Sequence, residues 1–300
     1  MNYRVPGKTF LVGEYSVLLG GAALGVATKP YFEFNFQKEF NLFPSFQIHA
    51  ESPAGLYLRA HQVDQQIQQQ VAFLNPYLSQ GVLGGFGQST AEYLAVYANL
   101  NQGENLNSFD QIREEYQSLH RNKKNPPSGV DLAFQYYGEV CLARPAEKNY
   151  QSGRWPFLDL DFFLVATGVK VATHQHLLEL DLDELTLLPE QSEKVIEAFL
   201  QKKSSRFVDE LKNWVHLLHT KKLTHSYSVD LRMQIEKNKK VLSVKPCGAL
   251  GADVLLVLFE SGDQEEVKKS LSALPLQIVA RADDLCEGFY KNIQKKVERT

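Results

Sequence analysis

Gly84-Gly85-Phe86-Gly87-Gln88-Ser89-Thr90-Ala91 is followed by Tyr93, Leu94, Val96, Tyr97 and Leu100, an apolar spacing that predicts a helix beginning at Ser89 or Thr90. Glycines lack a Cβ and let main-chain amides approach an anion closely. A helix that starts directly after them adds its unpaired N–H groups and the positive end of its dipole. Ser89 and Thr90 are placed to offer hydroxyls to a phosphate or to its Mg²⁺. Taken alone, the stretch has a second reading as a flexible glycine turn with Ser89 as the N-cap of the helix. Two common phosphate motifs do not fit: a P-loop needs a Lys after its glycines, and a dinucleotide fingerprint needs a third Gly where Gln88-Ser89-Thr90 stands.

Outward from this loop the chain alternates between two periodicities. Phe10–Val12, Tyr15–Leu19 and Tyr31–Phe36 read as antiparallel strands, with Gly20-Gly21 as a turn. Val63, Ile67 and Val71 predict a helix from Ala60 to about Phe73. Further helices are expected over 109–120, 130–137, 189–203, 205–223, 230–238 and 264–273, and strands over 139–143, 162–166 and 254–259. The polar stretch Lys148–Pro156 marks a boundary, which gives an N-terminal domain over 1–153 and a C-terminal domain over 154–300. Strands and helices mix without regular alternation, so the expected class is α+β.

Composition narrows the function classes. With 300 residues, 44% hydrophobic and 22% charged, the chain can bury a large core. A net charge of -3 argues against a nucleic-acid coat. No apolar run approaches the ~20 residues of a bilayer span. The start of the chain lacks the pattern of a secretion signal, and three cysteines without paired spacing give no disulfide framework, so a cytoplasmic setting is expected. His174, His176, His216, His219 and His225 come without a zinc-binding pattern.

Three further stretches stand in a telling order. Pro6-Gly7-Lys8-Thr9-Phe10-Leu11-Val12-Gly13-Glu14-Tyr15 resembles the first motif of the GHMP kinase superfamily. The glycine loop resembles its second, usually GLGSSAA. Lys245-Pro246-Cys247-Gly248-Ala249-Leu250-Gly251-Ala252 resembles its third, usually K-x-x-G-A-G-G-G, and Ser128-Gly129-Val130-Asp131 resembles the SGxD element of mevalonate and phosphomevalonate kinases. Gly13-Glu14-Tyr15, and His120 eleven residues before Asp131, are closer to the phosphomevalonate kinase branch. The spelling departs at Gln88, where Ser is usual, and at Leu250 and Ala252, where glycines are usual. Their bulk is expected to crowd the phosphate-binding backbone.

The resemblance implies a two-domain fold, with an N-terminal domain like domain 2 of ribosomal protein S5 and a ferredoxin-like C-terminal domain. It implies ATP and Mg²⁺ as cofactors. Gly84, Gly85, Gly87, Gln88, Ser89 and Thr90 would hold the phosphates, and Ser89 would also hold the metal. Asp131 and Lys8 would be catalytic. Glu14, Tyr15, His120, Ser128, Thr173, Gly248 and Ala249 would line the acceptor pocket, with Arg121, Lys123 and Lys124 attracting a charged acid or phospho-acid. A small-molecule substrate is the expected partner, rather than a nucleic acid or a membrane, and a homodimer stays open. Two functional readings remain: a kinase acting on mevalonate or phosphomevalonate, and a non-catalytic or altered-specificity binding protein on the same scaffold.

Overall fold

Strand β1 (Asn2–Val12) pairs antiparallel with β2 (Ala23–Asn35) along almost its whole length, with Lys8 opposite Ala27. The register shifts between Pro6 and Gly7. The computed structural model describes residues 1–36, 45–46, 48–63, 71–79, 81–82, 84–101, 108–121, 126–169, 180–248 and 250–291. The far edge of β2 is shared: Ala23–Val26 pairs with β5 (Val140–Arg144), and Glu33–Asn35 with β4 (Val71–Leu74). The short β3 (Ser45–Phe46) and β6 (Asn149–Gly153) extend the sheet at its two ends. Residues 23–28 of β2 are buried throughout, whereas farther along Phe32 and Phe34 are buried and Glu33 is not, the alternation of a strand with one wet face.

Helices α1 (Pro53–Ala60), α2 (Pro76–Ser79), α3 (Gln88–Leu100), α4 (Phe109–Ser118) and α5 (Val130–Tyr137) accompany this sheet. Every residue from Thr90 to Ala98 is buried, so α3 is enclosed on all sides rather than amphipathic.

The second half runs β7 (Leu160–Ala166), α6 (Leu188–Leu200), α7 (Ser204–Thr220), α8 (Ser226–Ile235), β8 (Val241–Cys247), β9 (Val254–Glu260), α9 (Gln264–Leu271) and β10 (Gln277–Arg281). Its antiparallel sheet has the order β10-β7-β9-β8, a ferredoxin-like arrangement. Both faces are covered. Phe162, Leu164, Leu256 and Leu258 join the main core, while Phe163, Val165, Leu255 and Val257 pack with Leu231, Val267 and Leu271 on the other side. That is why these strands read as unbroken apolar runs. The main core is continuous between the two sheets, joining Val5, Tyr93 and Phe134 to Ile196 and Trp214.

Several elements differ from their sequence reading. Ser16–Leu19 forms a 3-10 turn, because the chain must reverse between β1 and β2. No helix starts at Ala60 as expected: the helix there, Pro53–Ala60, ends at that residue, and Val71–Leu74 is a strand completing the sheet. Residues 64–70 of that expectation lie outside the described residues. The polar boundary stretch contains β6, an exposed edge strand whose side chains need no apolar pattern. β8 and β10 escaped notice. β8 carries Lys245 and Pro246, and the proline is tolerated because β8 is an edge strand.

Polar side chains fasten the two sheets together. The Lys245 ammonium lies 2.6 Å from Glu14 Oε1, with the two side chains 0% and 3% exposed. It also donates to the carbonyl oxygens of Phe10 at 3.4 Å and Pro246 at 3.1 Å. Burial by itself lowers the pKa of Lys245, but its neighbours Cys247 and Glu14 raise it by more, so the net shift is upward and the ammonium is held charged. The Tyr15 hydroxyl accepts from the Leu250 N–H at 2.8 Å, and the Ser16 and Ser192 hydroxyls meet at 2.9 Å. Arg144 grips Glu193 with both guanidinium nitrogens. After β10 the chain returns to the first sheet, where the Cys286 N–H donates to Ala27 O at 3.1 Å.

Removing one partner of a buried pair strands the other charge. Lys245→Met is therefore expected to cost about 3–5 kcal/mol in urea unfolding. Adding Glu14→Leu should recover much of the loss, and a double-mutant cycle on the unfolding midpoints measures that recovery.

Candidate active site

The glycine loop sits where both sheets can reach it. A Cβ on Gly85, whose φ is +92°, would come within 2.5 Å of Val254 Cγ2 and 2.9 Å of Asp253 Cβ. Only a bare Cα therefore lets the loop lie against the start of β9. Phe86 is buried and stacks on Tyr77 at 4.4 Å, and its carbonyl oxygen accepts from the Lys8 N–H at 3.0 Å. Gly87 is the N-cap of α3, with φ +82°. A Cβ there would lie 2.8 Å from Lys8 Cγ, 2.9 Å from Lys8 Cε and 3.2 Å from Gln135 Nε2. The aliphatic stem of Lys8 thus crosses the α-carbon of Gly87.

Beyond that crossing, the Lys8 ammonium forms an ion pair with Asp131. The Lys8 side chain is 12% exposed and that of Asp131 36%. Asp131 stands in the first turn of α5, and the N-cap Gly129 has φ +77°. The turn before it is held from α4: Arg113 Nε donates to the Ser128 carbonyl oxygen at 2.9 Å and Gln117 Nε2 to the same atom at 3.2 Å. The Ser128 hydroxyl accepts from the Val130 N–H at 3.3 Å. Glycine loop, lysine and aspartate, three separate stretches of sequence, therefore converge.

Other expected site residues divide into those open to a ligand and those turned inward. Ser89 is exposed in the first turn of α3, and Gly84 and Gly85 are half-buried. Gly248 has φ +83° with open space where a side chain would be. Glu14 and Tyr15 are corrected from acceptor contacts to structural ties, since both side chains are buried and engaged with Lys245 and Leu250. Burial raises the Tyr15 hydroxyl well above the usual tyrosine pKa. Thr90 is corrected likewise: its buried hydroxyl donates its one proton to Gln135 Oε1 at 2.6 Å, with Gly87 O the alternative acceptor at 3.0 Å, which leaves only its main-chain amide to donate to an anion. Gln88 accepts from Asn75 Nδ2 at 2.9 Å and donates to Glu92 Oε1 at 2.7 Å, so its side chain braces the loop from behind.

His120 is buried, with Nδ1 3.1 Å from the Tyr116 carbonyl oxygen. Burial raises the pKa of the Tyr116 hydroxyl, and the charge of Asp131 raises it further. Arg121 is exposed. Thr173, Ala249, Lys123 and Lys124 lie outside the described residues. The two bulky departures in the third motif are both tied down through their main chain. Ala252 is buried, and its carbonyl oxygen accepts from the Thr167 hydroxyl. Leu250 takes φ +60°, a left-handed conformation that costs an L-residue about 1–2 kcal/mol. It is held there by Tyr15 and by the His225 N–H, which donates to Leu250 O at 2.8 Å.

The sequence reading missed Gln135, Asn75, Glu92 and Arg113. For Gln135 there was a signal: it is the one uncharged amide in the otherwise apolar and aromatic helix that follows Asp131, one turn farther along.

The fold matches several solved structures. It superposes on Streptococcus pneumoniae phosphomevalonate kinase in complex with phosphomevalonate and AMPPNP at TM-score 0.70 and 17% identity, covering 94% of this chain and 99% of that one. It superposes on Lactococcus lactis galactokinase complexed with galactose at TM-score 0.70 and 12% identity, covering 96% and 94%. With L. major mevalonate kinase in complex with R-mevalonate the values are 0.62 and 17%, covering 91% of each chain. This chain has the GHMP kinase fold. The match extends through both sheets, as the order of the four motifs implied. No protein-family profile matches the sequence, and no curated protein does.

Glu92 yields a pH prediction. Burial raises its pKa from 4.5 to about 6, with the hydrogen bond from Gln88 opposing the rise. The folded state therefore holds this proton more tightly than the unfolded chain. The associated stability is complete below the unfolded pKa and is lost as pH rises through about 6. The loss is on the order of 2 kcal/mol. Glu92→Gln should consequently raise Tm at pH 7.5 and shrink the Tm difference between pH 5 and pH 7.5, as measured by thermal unfolding at both values.

Proposed function

We propose that this chain is an ATP-dependent small-molecule kinase that transfers the γ-phosphoryl group to an acid acceptor, with phosphomevalonate favoured over mevalonate. The observation that carries the reading is the Lys8–Asp131 ion pair set against Gly87 at the start of α3. The unpaired amides at the N-terminus of α3 attract the donor phosphates, and the ammonium of Lys8 stands beside them to neutralise charge as it spreads over the transferred group. Phosphoryl transfer asks a protein chiefly for alignment and electrostatic stabilisation, which these groups supply.

Among the described residues no group of three or more His, Cys, Asp or Glu side chains could hold a metal ion. The exposed Ser89 hydroxyl and the partly exposed Asp131 carboxylate are oxygen donors that fit Mg²⁺ brought in with the nucleotide phosphates, rather than a cage made of protein alone. When bound there, the ion would offset charge on the phosphate oxygens.

The role of Asp131 depends on the acceptor. A primary alcohol loses a proton on attack, so the carboxylate would accept it. A phosphate monoester is already largely ionised at pH 7, so Asp131 would serve to orient Lys8. The Streptococcus pneumoniae relative with phosphomevalonate bound and the Gly13-Glu14-Tyr15 spelling support the phospho-acid. The second reading, a binding protein of altered specificity, draws on Gln88, which puts a braced amide where the motif usually has a hydroxyl. The Lys8–Asp131 pair counts against it, since binding alone does not require an ammonium held at an acceptor carboxylate.

ATP consumption measured with mevalonate, with phosphomevalonate and with no acceptor tests the proposal. Turnover with one acid supports it, and the absence of both turnover and nucleotide binding overturns it. Asp131→Asn should lower kcat by about 10²–10⁴-fold for an alcohol acceptor and by clearly less for a phosphate. Ser89→Ala should raise the Mg²⁺ concentration needed for half-maximal rate, and an unchanged magnesium titration would remove Ser89 from the metal's surroundings.

A further inference from the structure

Gln135 is completely buried, yet each polar atom of its side chain is engaged. Nε2 donates to the Pro6 carbonyl oxygen at 2.9 Å and to the Gly87 carbonyl oxygen at 3.1 Å. Oε1 accepts from the Thr90 hydroxyl at 2.6 Å. An amide has two N–H donors and one carbonyl, and all are used. These three bonds tie α5 to two other elements. Pro6 lies two residues before Lys8 on β1, at the shift in strand register. Gly87 and Thr90 are the N-cap and first turn of the helix behind the glycine loop. Gln135 itself lies one helical turn after Asp131, so both side chains leave the same face of α5.

From this geometry we infer that Gln135 is a positioning residue, which sets the phosphate loop in register with the Lys8–Asp131 pair. The inference rests on the kinase reading above for its effect on rate, and on geometry alone for its effect on Lys8. Lys8 links the same elements through its flexible side chain and the ion pair with Asp131, whereas Gln135 binds main-chain carbonyls of β1 and of the loop directly from α5. Lys8 N–H to Phe86 O joins β1 to the loop but does not touch α5. A shift of about 1 Å in such an alignment costs roughly 10²-fold in rate. Gln135 touches neither donor nor acceptor in this scheme, so its influence should appear in kcat rather than in the KM of the acceptor.

The test uses Gln135→Met, which keeps length and bulk but has no donor or acceptor of comparable strength. Thr90→Val, a milder cut, removes only the hydroxyl donated to Oε1. Three quantities are read on the full chain: kcat and KM with the accepted substrate, Tm, and the rate at which an amine-reactive ester labels Lys8, normalised to exposed Lys202 by mass spectrometry. The expected result for Gln135→Met is a kcat about 10–100-fold lower with acceptor KM changed less than threefold, and faster labelling of Lys8 at temperatures where the protein is folded. Thr90→Val should fall between this and the wild type. A lower Tm with wild-type kcat and wild-type labelling makes Gln135 a purely structural residue and overturns the inference. If Gln135→Met does not fold, Thr90→Val decides by the same measures. If the wild type turns over no acceptor, the kinase reading fails on its own. The labelling rate then decides on Gln135, faster supporting and unchanged overturning.

Discussion

The stem of a lysine lying across the bare α-carbon of Gly87 is the constraint around which the rest of this molecule is arranged. Any side chain at residue 87 would strike Lys8 and press on Gln135, so the strand, the loop and the helix after Asp131 approach one another only because that position is glycine. The left-handed φ of Gly87 adds a second reason, since it turns the loop into α3 without strain. Close approach in turn brings the ammonium to the carboxylate of Asp131. The ion pair is half-wet, with the lysine nearly enclosed and the aspartate open on one side.

Behind this surface, several buried polar groups are paired across the seam. A desolvated donor or acceptor without a partner costs about 1–3 kcal/mol. Glu14 Oε1 with Lys245, Tyr15 with Leu250 and Gln135 with two carbonyls and a hydroxyl each meet that requirement while joining segments far apart in sequence. The departures from the usual motif spelling follow the same rule. Gln88 is braced by Asn75 and Glu92, and Leu250 is held by Tyr15 and His225. Groups left at the surface, such as Ser89, Gly248 and one side of Asp131, are those with room for a ligand. The motif residues thus fall into two sets with different work. One set builds the seam between the sheets, and the other faces outward.

Much of the fold was legible because its signals are local. The helix of Val130–Tyr137 and the strand of Val254–Glu260 follow from short runs of apolar residues, and the site's central loop follows from glycines before a helix. Errors arose where a local pattern had two physical solutions. Val63, Ile67 and Val71 are spaced like a helix face, but Val71 begins a strand whose partner lies far back in β2. Lys245 and Pro246 concealed β8, since neither suggests a strand until the buried partner and the open strand edge are known.

By itself the sequence determined the α+β character, the place of the glycine loop before its helix, and the nomination of Lys8, Ser89 and Asp131 as candidate groups. These depend on residue type and short spacing, which chain chemistry expresses directly. Only the tertiary structure decided which motif residues face a ligand and which are spent inside: Glu14, Tyr15 and Thr90 turned inward, and Gln135 emerged as the tie among three elements. The reason is that burial and partnership are properties of contacts between distant segments, and no spacing along the chain reports which segment will supply the other half of a hydrogen bond.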